Sequence, residues 1–231
     1  RLGFTRQQLD DFAVRSYQRA RHAQAAGWFH DEIAPTPFDE LAKSAKTTAP
    51  RLETDEGPTR FDEAKLRALR PAFGAEGVTT AGNASSINDG AAAVVLMDAA
   101  TARQCGLRPL ARIVGFATHS REPEWFTLAP IDAIRKLLDK LGWSVATTDL
   151  FEINEAFAAV ALAAELELAI PPEKLNPRGG AVALGHPIGA SGARVLVTLL
   201  HALRQSGLRR GIASLCIGGG EAVALAVEAG E

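Results

Sequence analysis

The sequence predicts an α/β fold in which helices are layered on a sheet. Three observations carry that prediction. From Gly90 onward, apolar runs of strand length alternate with amphipathic runs of helix length. Near the C-terminus two apolar runs are joined through Gly218-Gly219-Gly220, a hairpin signal. The 231 residues, 47% of them hydrophobic, are enough to bury a substantial core.

Residues 1–30 read as a helix. Thr5 followed by Gln8 is a capping-box pattern, and Leu9, Phe12, Ala13, Ser16 and Ala20 recur at helical spacing. Gly27 is its natural stop. Residues 31–86 read as a loop-rich excursion. Pro35, Pro37, Pro50, Pro58 and Pro71 interrupt long elements there, and one short helix is expected near Asp62 to Leu69. Ala91 to Met97 reads as a strand or buried helix, and Leu110 to Ala117 as a strand. Pro130 sits where a first-turn proline would, ahead of an apolar face made by Ile131, Ile134, Leu137, Leu138 and Leu141. Asp149 to Ile153 reads as a short buried strand, after which Asn154 opens an alanine-rich helix to about Leu168. Ala190 to Gln205 is the next helix. Ile212 to Ile217 and Glu221 to Val227 are the hairpin strands.

Composition excludes several classes of function. A net charge of −2 gives no nucleic-acid footprint. No apolar run reaches the length of a membrane span, and the longest, near Ala156 to Ala164, is broken by Glu165. Five dispersed histidines and two cysteines, Cys105 and Cys216, suit neither a zinc site nor a disulfide framework. The expectation is therefore a reducing compartment, the cytoplasm by default. The sequence opens at Arg1 without a signal-peptide pattern or an initiator methionine, and reads as a processed chain or a piece of a longer one.

Three segments could carry chemistry. Asn154-Glu155-Ala156-Phe157 follows a strand and opens a helix, so Asn154 is either an N-cap or a functional amide. Gly179 to Arg194 is rich in glycine and alanine, and its only titratable side chain before Arg194 is His186. It reads as a tight turn around one histidine, or as backbone built for close approach to a ligand. It lacks the lysine of a phosphate loop. Cys216 ends a strand before three glycines and is either a buried hydrophobe or a reactive thiol. Between Pro172 and Gly220 the only acid is Glu173, against Lys174, Arg178, Arg194, Arg204, Arg209 and Arg210. That local positive charge would suit an anionic substrate and a thiolate, or is simply a solvated basic face.

In the order Asn-Glu-Ala-Phe, then Gly-His-Pro, then Cys-Ile-Gly-Gly-Gly, the three segments resemble the thiolase family. Thr80-Ala81-Gly82-Asn83-Ala84-Ser85 and Leu69-Arg70-Pro71-Ala72-Phe73 resemble it as well. The resemblance implies a layered αβαβα thiolase fold. Residues 1–87 would be most of the CoA-binding loop domain, 88–108 the last piece of the N-terminal core domain, and 109–231 the C-terminal domain.

It implies acyltransferase activity on coenzyme A thioesters, by Claisen condensation or thiolytic cleavage, with no further cofactor and no metal. Cys216 would be the acid/base. His186 would donate to the thioester oxygen, and Asn154 would hold a water as second donor. The N–H of Gly218 would help a second oxyanion hole. Such donors are each worth about 3–4 kcal/mol of barrier. Leu66, Leu69, Phe73, Ala81, Ser85, Ile87, Ala156 and Phe157 would line the pantetheine channel. The family's nucleophilic cysteine has no counterpart here, since Cys105 lies in an unlike setting. An N-terminal half carrying that cysteine is therefore an expected partner, together with homo- or hetero-oligomerisation. Ser86, the segment Phe126 to Pro130, and Arg178 depart from the usual family residues. The alternative is a non-catalytic CoA- or lipid-binding subunit of a thiolase-like complex.

Overall fold

The computed structural model describes residues 2–37 and 51–230. Residues 38–50 of the expected excursion, Pro50 among them, lie outside the described residues.

Helix α1 spans Arg6–Ala25 and opens on the expected capping box. Thr5 Oγ1 accepts the Gln8 N–H at 3.2 Å, and Gln8 Oε1 accepts the Thr5 N–H at 2.8 Å. Leu9, Phe12, Ala13, Ser16 and Ala20 are all buried along one face. The helix is shorter than the expected 1–30, and turns follow it to residue 32.

In the excursion, β1 (Thr36–Pro37) and β2 (Arg51–Leu52) form a two-residue antiparallel ladder. Helix α2 (Glu63–Ala68) starts where Asp62 accepts the Lys65 N–H at 3.1 Å. The expectation for Ala91 to Met97 fails: residues 91–97 form neither strand nor helix and run along the surface, with Val95 86% exposed. An apolar run becomes regular structure only where a neighbour pairs its backbone or covers its side chains. Helix α3 (Ala99–Gln104) follows, capped by Asp98.

The rest of the chain builds one four-stranded sheet from β3 (Ala111–Ser120), β4 (Leu150–Ile153), β5 (Arg210–Cys216) and β6 (Glu221–Ala229), in the order β3-β6-β5-β4. β4 and β5 are parallel and the other pairs antiparallel. A parallel pair needs a long crossover. Here it contains α5 (Ala158–Glu167), the short α6 (Ala181–Leu184) and α7 (Ser191–Ser206).

Helix α4 (Ala129–Leu141) covers one face of the sheet and α7 the other. The strands alternate to match. Ile212, Ala222, Ala224 and Ala226 share a core with Ile131, Ile134 and Leu137 of α4, while Ala213 and Val227 share one with Leu199 and Leu203 of α7. Truncating a fully buried leucine such as Leu137 to alanine costs about 2–5 kcal/mol. Helix α1 packs over α5 and α6, which brings it beneath the glycine-rich run. No helix among the described residues is long and apolar enough to cross a membrane.

Candidate active site

The site begins where two parallel strands end together. Ile153 pairs with Ser214, and the next N–H, that of Asn154, donates to Ser214 O at 2.9 Å. Asn154 therefore leaves β4 at the same sheet edge where β5 delivers Cys216. Ligands of open α/β sheets gather outside the carboxyl ends of the strands.

Asn154 is not a helix cap. The helix starts at Ala158, with Phe157 in the capping position. The Asn154 amide is almost fully buried and its Nδ2 lies 3.3 Å from His186 Nε2. Its Oδ1 is a buried acceptor that no protein donor among the described residues satisfies.

Glu155, the next residue, is buried and ties three elements together. Its carboxylate accepts from Ser16 Oγ of α1 at 2.7 Å, from Asn176 Nδ2 at 2.9 Å and from the Val182 N–H at 3.2 Å. Burial pushes its pKa up, and these three hydrogen bonds oppose the shift. Asn176 also clasps the end of β4, accepting the Ile153 N–H at 2.8 Å and donating to Ile153 O at 2.9 Å. Gly180 is required beside this knot, because a Cβ there would stand 2.3 Å from the Glu155 carboxyl carbon. Gly185 precedes His186 with φ +97°, in the left-handed region, and a Cβ there would stand 2.4 Å from Asn88 Oδ1.

His186 is thus delivered by a turn fastened on both sides. Its N–H donates to Ser86 O at 3.0 Å, and Ile87 pairs with it as a parallel bridge. Its Nδ1 lies 2.5 Å from Ser191 Oγ. Burial lowers the ring's pKa first, and the Arg194 charge lowers it further, so the imidazole is neutral near pH 7.

Cys216 is partly buried, and burial pushes its thiol up to about 11. Three of the six cations between Pro172 and Gly220 are engaged elsewhere. Lys174 Nζ is spent on the carbonyls of Val145, Ala146 and Thr148. Arg178 is buried against Glu32, Gln205 and the Trp28 carbonyl, and Arg210 pairs with Glu228. Gly218 lies exposed at the tip of the β5–β6 hairpin.

The residues expected to line a channel divide. Ser85 donates through both N–H and Oγ to Ala156 O, at 3.1 and 2.9 Å. Phe157 is bridged to Ala84 and meets Phe73 edge-on at 6.3 Å. Phe126, from the departing segment, meets the same ring at 6.2 Å. Leu69 abuts Gly82, and Ala81, Phe73 and Ile87 are exposed. Leu66 is instead 5% exposed and packs into the core with Ala13, Val14 and Val182, because α2 turns that residue inward.

Ser16, Asn176 and Ser191 support the site but were not singled out from the sequence. A serine five residues after His186, where a turn passes into a helix, was the one readable signal. Among the described residues no group of three or more His, Cys, Asp or Glu side chains could hold a metal ion.

Comparison with known proteins matches residues 107–229 to the family model "Thiolase, C-terminal domain" and residues 1–100 to "Thiolase, N-terminal domain". The chain belongs to the thiolase family. It is 52% identical over 229 residues to the acetyl-CoA acetyltransferase of Chromobacterium violaceum, covering 99% of this chain and 57% of that protein. It is similar to the crystal structure of the Bacillus anthracis acetyl-CoA acetyltransferase, with a TM-score of 0.92 and 47% identity over 98% of this chain and 56% of that one. It also resembles a thiolase from Ascaris suum, Acat5, solved in complex with coenzyme A, at a TM-score of 0.88 and 43% identity over 98% of this chain and 56% of that one. The chain thus spans a little over half the length of the thiolases it matches.

Proposed function

We propose that this chain supplies the proton-transfer and oxyanion part of a thiolase-type acyltransferase. Its substrates are coenzyme A thioesters, condensed from acetyl-CoA or cleaved as 3-ketoacyl-CoA. The nucleophilic cysteine comes from an N-terminal half on a partner or a longer chain. Residues 1–87 act as loop domain, 88–108 as the end of the N-terminal core and 109–231 as the C-terminal domain. Homo- or hetero-oligomers and a reducing compartment such as the cytoplasm complete the reading.

The observation that carries it is the approach of Asn154 and His186 at the sheet edge where Cys216 ends β5. In condensation, Cys216 Sγ removes an α-proton from acetyl-CoA. Negative charge then develops on the thioester oxygen. His186 Nε2–H and a water held by Asn154 donate to it, each with a barrier effect of about 3–4 kcal/mol. The enolate carbon attacks the acyl thioester on the partner cysteine, forming a C–C bond. The Gly218 N–H supports the resulting oxyanion, which collapses and expels the cysteine thiolate. Cleavage runs these steps in reverse, and the neutral Cys216 thiol is its proton donor. Ser85, Phe73, Phe157 and their neighbours form the apolar, sparsely polar wall that suits pantetheine.

The test is to mix the chain with an N-terminal thiolase half and assay acetoacetyl-CoA thiolysis. Activity in the mixture that is lost with Cys216→Ala supports the reading. Unchanged activity in Cys216→Ala, or turnover by this chain alone, overturns it.

A further inference from the structure

We infer that Ser191 is a positioning residue that decides which nitrogen of His186 carries the ring proton. This rests on the reading of His186 as a donor. Ser191 is fully buried in the first turn of α7. Its Oγ lies 2.5 Å from His186 Nδ1 and 3.1 Å from the Pro187 carbonyl oxygen. A hydroxyl has one proton and can donate to only one of them. The Pro187 carbonyl already accepts the Ala190 N–H at 2.8 Å, so it has a donor without Ser191. The serine proton therefore goes to the nearer acceptor, Nδ1, and the ring proton sits on Nε2.

The opposite arrangement has a clear chemical cost. A serine donating to Pro187 would require Nδ1–H and make Nε2 the acceptor of the Asn154 Nδ2–H, unable to stabilise an oxyanion. With the proton on Nε2, the ring N–H is a donor beside the Asn154 amide, whose Nδ2 lies 3.3 Å away and would hold the water that is the second donor. Burial of Ser191 keeps solvent from replacing its hydrogen bond.

A long-range ¹H–¹⁵N spectrum of the chain with ¹⁵N-labelled histidine reads the tautomer directly. The His186 signals are assigned by their absence from His186→Gln. The expected pattern at neutral pH is pyrrole-type Nε2 and pyridine-type Nδ1. The Nδ1 resonance should move toward that of an unbonded ring nitrogen in Ser191→Ala. Pyrrole-type Nδ1 in the unaltered chain, or an unmoved Nδ1 in Ser191→Ala, overturns the inference. In the reconstituted assay Ser191→Ala should lower kcat about 10–100-fold with KM nearly unchanged; a change in KM alone also overturns it. The spectrum needs no partner chain, so failure here is distinguishable from failure of the acyltransferase reading.

Discussion

Asn154 Nδ2 and His186 Nε2 stand 3.3 Å apart across 32 residues of chain, one at the end of β4 and the other past a glycine turn. Groups so close to one reacting oxygen act as a unit. In the reconstituted enzyme, Asn154→Ala and His186→Ala should each lower kcat about 10²–10³-fold. The double variant should fall well short of the product of the two losses. Steady-state kinetics on all three decides it, and fully multiplicative losses would mean the residues act separately.

Glu155 should matter to stability first. Glu155→Ala strands the Ser16 hydroxyl, the Asn176 amide and the Val182 N–H. Leaving buried donors unpaired costs about 1–3 kcal/mol each, so a loss of about 3 kcal/mol or more is expected in urea denaturation. A loss below about 1 kcal/mol would show that the knot relaxes without cost.

Glu152 should make stability depend on pH. Burial pushes its carboxyl up to about 8, with Arg194 opposing and Glu155 and Glu32 adding to the rise. In the unfolded chain the group ionises near its ordinary 4.5. Between these values the folded state keeps a proton the unfolded state has released, so stability falls as pH rises from about 4.5 to about 8. Glu152→Gln removes that dependence. Thermal melts should show the variant gaining on the unaltered chain by a few kcal/mol between about pH 5 and pH 8. Parallel curves would contradict the burial argument.

Cys216 should be a slow thiol. With burial holding it near 11, its thiolate fraction at neutral pH is small. Iodoacetamide at about pH 7.5 should label the exposed Cys105 well before Cys216. Mass spectrometry of tryptic peptides reads both sites at once. Equal labelling rates would mean that a cation reaches Cys216 in solution.

The parts of the fold legible in the sequence are those where one residue's neighbours along the chain decide its place. The α4 stripe from Ile131 to Leu138 and the hairpin through Gly218 to Gly220 are of this kind. So is the Thr5–Gln8 capping box. The remainder depends on groups distant in sequence. Nothing local tells that Glu152 and Glu155 are buried, since isolated carboxylates ordinarily face water. Asn154 has the composition of a cap, but its amide is drawn to His186 and the helix begins later. Leu66 and Leu69 are three residues apart, yet one is buried and the other half exposed, because α2 ends between them. Ser191 acquires its role only from the turn that folds His186 back onto it.

Val94, Val95, Leu96 and Met97 line the surface side by side, without regular structure and without charge between them. A contiguous apolar strip of this kind is sticky toward its own copies. The isolated chain should therefore be a poor colloid. Its light scattering should climb with concentration and salt, and the choice of expression host, detergent or solubilising fusion will govern yield before any enzymology begins.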